Sequence, residues 1–178
     1  MKAMILAGGL PQIELIKQLK AREVYTILVD GAKKPIALPY ADKFYQVDIF
    51  DIESVKNIAI EEKVDFLITC CADQVLLVVA QVSEMLGLPW YIDYKTACEV
   101  SDKRFMKKKF IENSIPTSKY IELEELDFQK ISNLKFPLVV KPVDAYSSKG
   151  VRKALNEEEL VIFFAEAKQI SRTGGVIV

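Results

Sequence analysis

The sixteen-residue run Phe136-Pro137-Leu138-Val139-Val140-Lys141-Pro142-Val143-Asp144-Ala145-Tyr146-Ser147-Ser148-Lys149-Gly150-Val151 decides how the rest of the chain is read. Its first half is apolar and β-branched and predicts a strand over residues 137–141, but that strand ends on a lysine. Burying a lysine there is costly unless an anion or a carboxylate sits beside it, and phosphate is a natural partner. The loop that follows offers two hydroxyls, a second lysine and one glycine, and its backbone amides can line a concave anion site. A solvated hairpin with Lys141 extended into water satisfies the same residues equally well.

Working outward, a second β-rich run over residues 151–155 lies close enough to pair with the first as an antiparallel hairpin, and a helix is predicted over 157–168. Upstream, Thr117 to Ile121 reads as a strand and Glu124 to Ile131 as a helix. Ser101-Asp102 supplies a cap for a helix running to about Asn113, which Ile115-Pro116 ends because the residue before proline is pushed out of helical geometry. These elements predict a small α+β unit.

The rhythm before residue 95 is different. Apolar runs at 3–7, 24–29, 44–47 and 65–69 alternate with helical patterns, such as Ile13, Ile16 and Leu19, the stretch 52–62, and Val75, Val78, Val79, Val82 and Leu86. Strands alternating with helices predict βαβ units and a parallel sheet covered on both faces. The expected division is therefore 1–98, a Rossmann-like parallel-sheet domain, and 99–178, the α+β unit.

Composition narrows the chemistry. The chain has 178 residues with a formal net charge of -1, which argues against a general nucleic-acid binder, since polyanion affinity comes from clustered Lys and Arg. Lys103 to Lys109 is a basic run, but on a helix its charges spread around the cylinder and read as a solvated surface with one functional lysine, Lys103. There is no histidine, which removes histidine triads and the commonest transition-metal ligand. Cys70, Cys71 and Cys98 lack metal or redox spacing and read as buried free thiols. The apolar start at Met1 is shorter than the roughly 7 to 15 residues of a secretory core, and no run reaches the roughly 18 needed to cross a bilayer, so a cytoplasmic protein is expected.

Strand, lysine, proline and a small-residue loop ending Ser148-Lys149-Gly150-Val151 resembles the first nucleotide-binding subdomain of the ATP-grasp superfamily, in its carbamoyl-phosphate-synthase-like and carboxylate–amine ligase members. Asp102-Lys103-Arg104-Phe105-Met106 resembles the family's helix start, and Ile115-Pro116-Thr117 its Gly-Ile-Pro-Thr segment, with Ser114 where glycine is usual. Gly8-Gly9-Leu10-Pro11-Gln12, Asp30, Asp48, Ala72-Asp73-Gln74 and Leu86-Gly87-Leu88-Pro89 follow the order of the preceding pre-ATP-grasp domain. The resemblance implies an ATP-dependent ligase that activates a carboxylate as an acylphosphate for attack by an amine.

It further implies that Lys103, Lys141, Tyr146, Ser147, Ser148, Lys149, Gly150 and Val151 contact ATP, and that Gly8, Gly9, Gln12 and Asp73 face the acceptor. The implied cofactors are ATP and Mg2+, with the magnesium ligands outside this chain; no catalytic or metal-ligating residue is assigned within it. The implied partners are the carboxylate and amine small molecules, with a second polypeptide or a C-terminal subdomain completing the site, and a homodimer, left open. The apolar strand entered at Gly174-Gly175 would lead into the adenine hinge, so the expectation is a chain truncated before its second subdomain and inactive alone. The alternatives are a non-catalytic Rossmann-like module for a nucleotide or nucleotide-sugar, and one subunit of a split enzyme. Gly8-Gly9 with Asp30 also invites a dinucleotide reading, but the G-x-G-x-x-G spacing is absent.

Overall fold

The computed structural model describes residues 1–145 and 148–178 of the chain, which forms two compact units, Met1–Cys98 and Glu99–Val178. In the first unit a four-stranded parallel sheet has the order β3-β2-β1-β4, built from β1 (Lys2–Leu6), β2 (Tyr25–Asp30), β3 (Lys43–Gln46) and β4 (Phe66–Ile68). Helix α1 (Leu10–Lys20) joins β1 to β2, a 3-10 turn at Leu38–Tyr40 lies between β2 and β3, α2 (Ile52–Glu62) joins β3 to β4, and α3 (Asp73–Leu86) follows β4.

Strand β1 lies inside the sheet, so both of its faces must be apolar, and Ala3, Met4, Ile5 and Leu6 are all fully buried. Period-two geometry sends Met4 and Leu6 to one side, against Val55 of α2 and Val75, Val78 and Val82 of α3. Ala3 and Ile5 go to the other, against Ile16 and Leu19 of α1. Each of the larger aliphatic side chains and Met4 contributes about 1.5–3 kcal/mol on burial, an upper figure relative to an extended chain. Helix ends are set locally. The Asp51 carboxylate accepts from the Ser54 amide at 3.1 Å to start α2, and Gly87 ends α3 in left-handed geometry at φ 63°.

One polar cluster sits within this apolar frame. Glu62, at the end of α2, is 8% exposed and accepts from Lys43 and from Tyr45 of β3, with Lys2 of β1 at 3.5 Å. These partners hold its carboxyl at about 2, well below the usual carboxylate range.

The second unit contains α5 (Lys103–Glu112), β5 (Glu122–Leu123), β6 (Leu138–Pro142), β7 (Arg152–Ala154), α6 (Glu157–Ile170) and β8 (Val176–Ile177); α4 (Tyr94–Ser101) carries the chain into it. The sheet order is β5-β8-β6-β7, every pair antiparallel, and β6 and β7 form the hairpin expected from sequence. Leu138 and Val140 of β6 pack with Leu160, Phe164 and Ala167 of α6. Asn156 caps α6 by accepting from the Glu159 amide at 2.9 Å, and three glutamates occupy its first turn, where the helix dipole favours them.

Four expectations are corrected. Residues 117–121 form no strand, although Ile121 exchanges two backbone bonds with Val178. Residues 124–131 form turns, not a helix: the Asp127 carboxylate accepts from the Gln129 amide at 2.9 Å, a local bond that competes with helical pairing. Cys71 is exposed and Cys70 and Cys98 are half-buried, where buried thiols were expected. Lys107, read as part of a solvated helix face, is 8% exposed. No helix among the described residues is long and apolar enough to cross a membrane.

Gly150 carries a positive φ of 73°, and a Cβ there would stand 2.8 Å from Ile170 Cδ1 and 2.9 Å from Pro142 Cγ. Gly87 has a similar φ of 63° but open space around it. Gly87→Ala should therefore cost about 1 kcal/mol from backbone strain alone. Gly150→Ala should cost about 2–4 kcal/mol, strain plus steric overlap, read as a larger fall in urea midpoint. A second prediction concerns acid. Because the folded carboxyl of Glu62 lies below its unfolded value of 4.5, its stabilisation is complete above that pH and is lost as pH falls toward about 2. Glu62→Gln should lower the melting temperature at pH 7 by about 4 °C and shrink the loss between pH 5 and pH 2.5 relative to the parent, as measured by circular dichroism.

Candidate functional site

Strand β6 shows how the second unit presents a cation. With Leu138 and Val140 committed to α6, alternation places Val139 and Lys141 on the opposite face. The antiparallel register puts Ile177 directly across from Lys141 and Lys153 across from Val139, so these four share that face. There a cavity of about 560 Å³ opens, lined by Lys107, Lys119, Tyr120, Lys135, Lys141 and Ile177, among others, and by no aspartate or glutamate among the described residues. The Lys141 side chain makes no hydrogen bond or ion pair with another described residue. Four cations and an apolar wall of Pro137, Val139 and Ile177 suit a ligand that is both anionic and partly flat or apolar.

Lys103 does not line this cavity. At the first turn of α5, capped by Asp102, its amide donates to the Val143 carbonyl at 3.0 Å and its Nζ to the Ala145 carbonyl at 2.5 Å. It is thus joined to the chain that leaves β6 and enters the loop. Two further contacts hold that exit: the buried Asp144 carboxylate accepts from the amides of Arg172 and Thr173 at 3.2 and 3.0 Å, and the Val143 amide donates to the Gly175 carbonyl at 3.2 Å. Of the loop, Tyr146 and Ser147 lie outside the described residues. Ser148, Lys149 and Gly150 form a turn in which the Val151 amide donates to the Ser148 carbonyl at 3.1 Å, with Ser148 itself at φ 56°. Ser148 and Lys149 are exposed.

In the first unit, Gly8, Gly9 and Gln12 follow β1, and Asp73 follows β4, so all four stand at the carboxyl end of the parallel sheet, where open α/β sheets bind ligands. Gln12 is 2% exposed and its Nε2 donates to the Cys70 carbonyl at 2.6 Å, a bond that ties the β1–α1 turn to the end of β4. Gly8 must be glycine because a Cβ would stand 2.5 Å from Pro35 Cβ. Asp30 accepts from the amides of Gly8 and Ala32, both at 2.7 Å, through its two oxygens. Those bonds brace the turns after β1 and β2, which accounts for Asp30 without a ribose contact.

Sequence reasoning overlooked Lys107, Ser118 and Tyr120 as parts of a site. The signal available was spacing: Lys107 stands four residues after Lys103 and so shares its helix face.

Comparison with known proteins fits this geometry. Residues 23–90 match the ATP-grasp N-terminal domain family model, and residues 110–178 match the model of the D-ala D-ala ligase C-terminus. The chain is 34% identical over 99 residues to a D-alanine--D-alanine ligase of Staphylococcus epidermidis, covering 50% of this chain and 28% of that protein. It is 27% identical over 177 residues to a formate-dependent phosphoribosylglycinamide formyltransferase of Proteus mirabilis, covering 97% of this chain and 44% of that one. The biotin carboxylase domain of the Hydrogenobacter thermophilus 2-oxoglutarate carboxylase, solved with MgADP, ADP and bicarbonate, superposes with a TM-score of 0.80 at 17% identity, over 99% of this chain and 43% of that one. The chain thus spans less than half the length of the relatives it matches. The parallel-sheet unit, the antiparallel unit that follows it and the two family matches together place this chain in the ATP-grasp superfamily, to whose N-terminal portion it corresponds.

Proposed function

We propose that the second unit binds the phosphates of ATP, as the first subdomain of a ligase that activates a small-molecule carboxylate as an acylphosphate for attack by an amine. One observation carries this reading: Lys141, on the face of β6 turned away from α6, lines a cavity with four lysines and no aspartate or glutamate among the described residues. The donor set fits the group. Lys141 supplies a point charge for phosphate oxygens, the Ser148 hydroxyl and the amides near Gly150 supply neutral donors, and the apolar wall suits a base. Lys103 positions the loop through the Val143 and Ala145 carbonyls. Phosphoryl transfer depends on such positioning and charge neutralisation more than on covalent help from the protein. Magnesium, when bound, would offset phosphate charge, with its ligands drawn from outside these residues. The first unit, 1–98, is proposed as the pre-ATP-grasp domain, with the turn carrying Gly8, Gly9 and Gln12, together with Asp73, facing the acceptor.

The test is an amide chemical-shift titration of the labelled chain with ADP up to millimolar concentration. Shifts should concentrate at residues 139–143 and 148–151. Lys141→Met keeps the apolar stem and removes the charge, and should weaken binding about tenfold, or 1.4 kcal/mol. Binding of undiminished strength in Lys141→Met would overturn the proposal.

A further inference from the structure

Lys107 is a buried cation whose neighbours do not neutralise it. It is 8% exposed, and its Nζ donates to Thr117 Oγ1 at 2.6 Å, to Ser118 Oγ at 2.7 Å and to the Ser118 carbonyl at 3.1 Å. The Tyr120 ring centroid is 5.1 Å away. All three acceptors are neutral oxygens, and no carboxylate pairs with Lys107 among the described residues. The cations sharing its cavity are Lys141 of β6, Lys119 beside Ser118, and Lys135 before β6. Burial, and then the charge of Lys141, push the Lys107 ammonium below the usual lysine range. Hydrogen bonds to neutral oxygens orient an ammonium but leave its charge uncompensated, so an anion entering the cavity gains from it at reduced dielectric.

We propose that Lys107 is a positioning residue of the phosphate site: from behind the 117–120 segment it adds a fixed positive charge beside Lys141 and selects a multiply charged anion, of the polyphosphate class, over a singly charged one. This rests on the nucleotide reading of the same cavity and adds to it a residue and a selectivity. The hydroxyls of Thr117 and Ser118 fix the ammonium, so the charge is in place before the ligand arrives.

The probe is inorganic tripolyphosphate, compared with acetate, followed by the ε-carbon and ε-nitrogen resonances of Lys107 in the unmodified chain. Tripolyphosphate should move those resonances and raise the Lys107 pKa, because an anion favours the charged form; acetate should not. Affinity should therefore fall as pH rises through the titration of Lys107 in the free protein, and Lys107→Met should lose that limb of the pH profile and bind about tenfold more weakly. A role confined to holding the 117–120 segment would lower thermal stability in Lys107→Met without removing the pH limb. If that variant does not fold, the resonances of the unmodified chain decide alone. The inference fails, and the nucleotide reading stands, if tripolyphosphate shifts residues 139–143 while the Lys107 pKa is unmoved. Both fail if neither tripolyphosphate nor ADP perturbs the cavity.

Discussion

Strand β6 has five residues and two faces, and α6 claims one of them. Once Leu138 and Val140 are packed with Leu160 and Phe164, Lys141 has no freedom to join that core: a shift of one residue in register would bury the ammonium and expose both aliphatic side chains. The apolar packing that stabilises the second unit is therefore also what aims its cation. The hairpin to β7 and the pairing with β8 follow from the same strand, and they bring Ile177 to the cavity side beside Lys141. The exit of β6 is held by neighbours that form no part of the cavity lining, through Lys103, Asp144 and Gly175.

Electrostatics then separates two kinds of lysine. Lys2 and Lys43 face Glu62, and Lys43 and Glu62 hold each other in their charged forms, so the cluster is structural and answers mainly to acid. Lys107 and Lys141 face neutral oxygens or one another, and burial with mutual repulsion works against the charged form of Lys107. A paired lysine has little to offer an incoming anion. An unneutralised one, held at reduced dielectric, has much more.

Most of the fold was legible because hydrophobic periodicity and punctuation agreed. The runs at β1 and β2, the helical spacing of Val75, Val78 and Val82, and the stop at Gly87 all point one way, and α2 has the bounds that its pattern predicts. The segment from 117 to 131 was not legible. There β-branched residues and acidic clusters suggested a strand and a helix, but the Asp127 side chain caps local turns instead. In the site, Lys141 stood out because it closes an apolar run. Lys107 did not, since a lysine within a run of lysines carries no sign of its burial until Thr117 and Ser118 are seen to receive it. Asp30 illustrates the converse: its distance from Gly8-Gly9 suggested a ligand, and the structure spends its oxygens on backbone amides.

The central claim is that phosphates belong to the second unit and not to the glycine turn of the first. Paramagnetic broadening of amide resonances by Mn2+–ADP tests it directly, because the metal travels with the phosphates. The account predicts broadening centred on residues 139–143 and 148–151; broadening centred on residues 7–12 and 30–34 would contradict it.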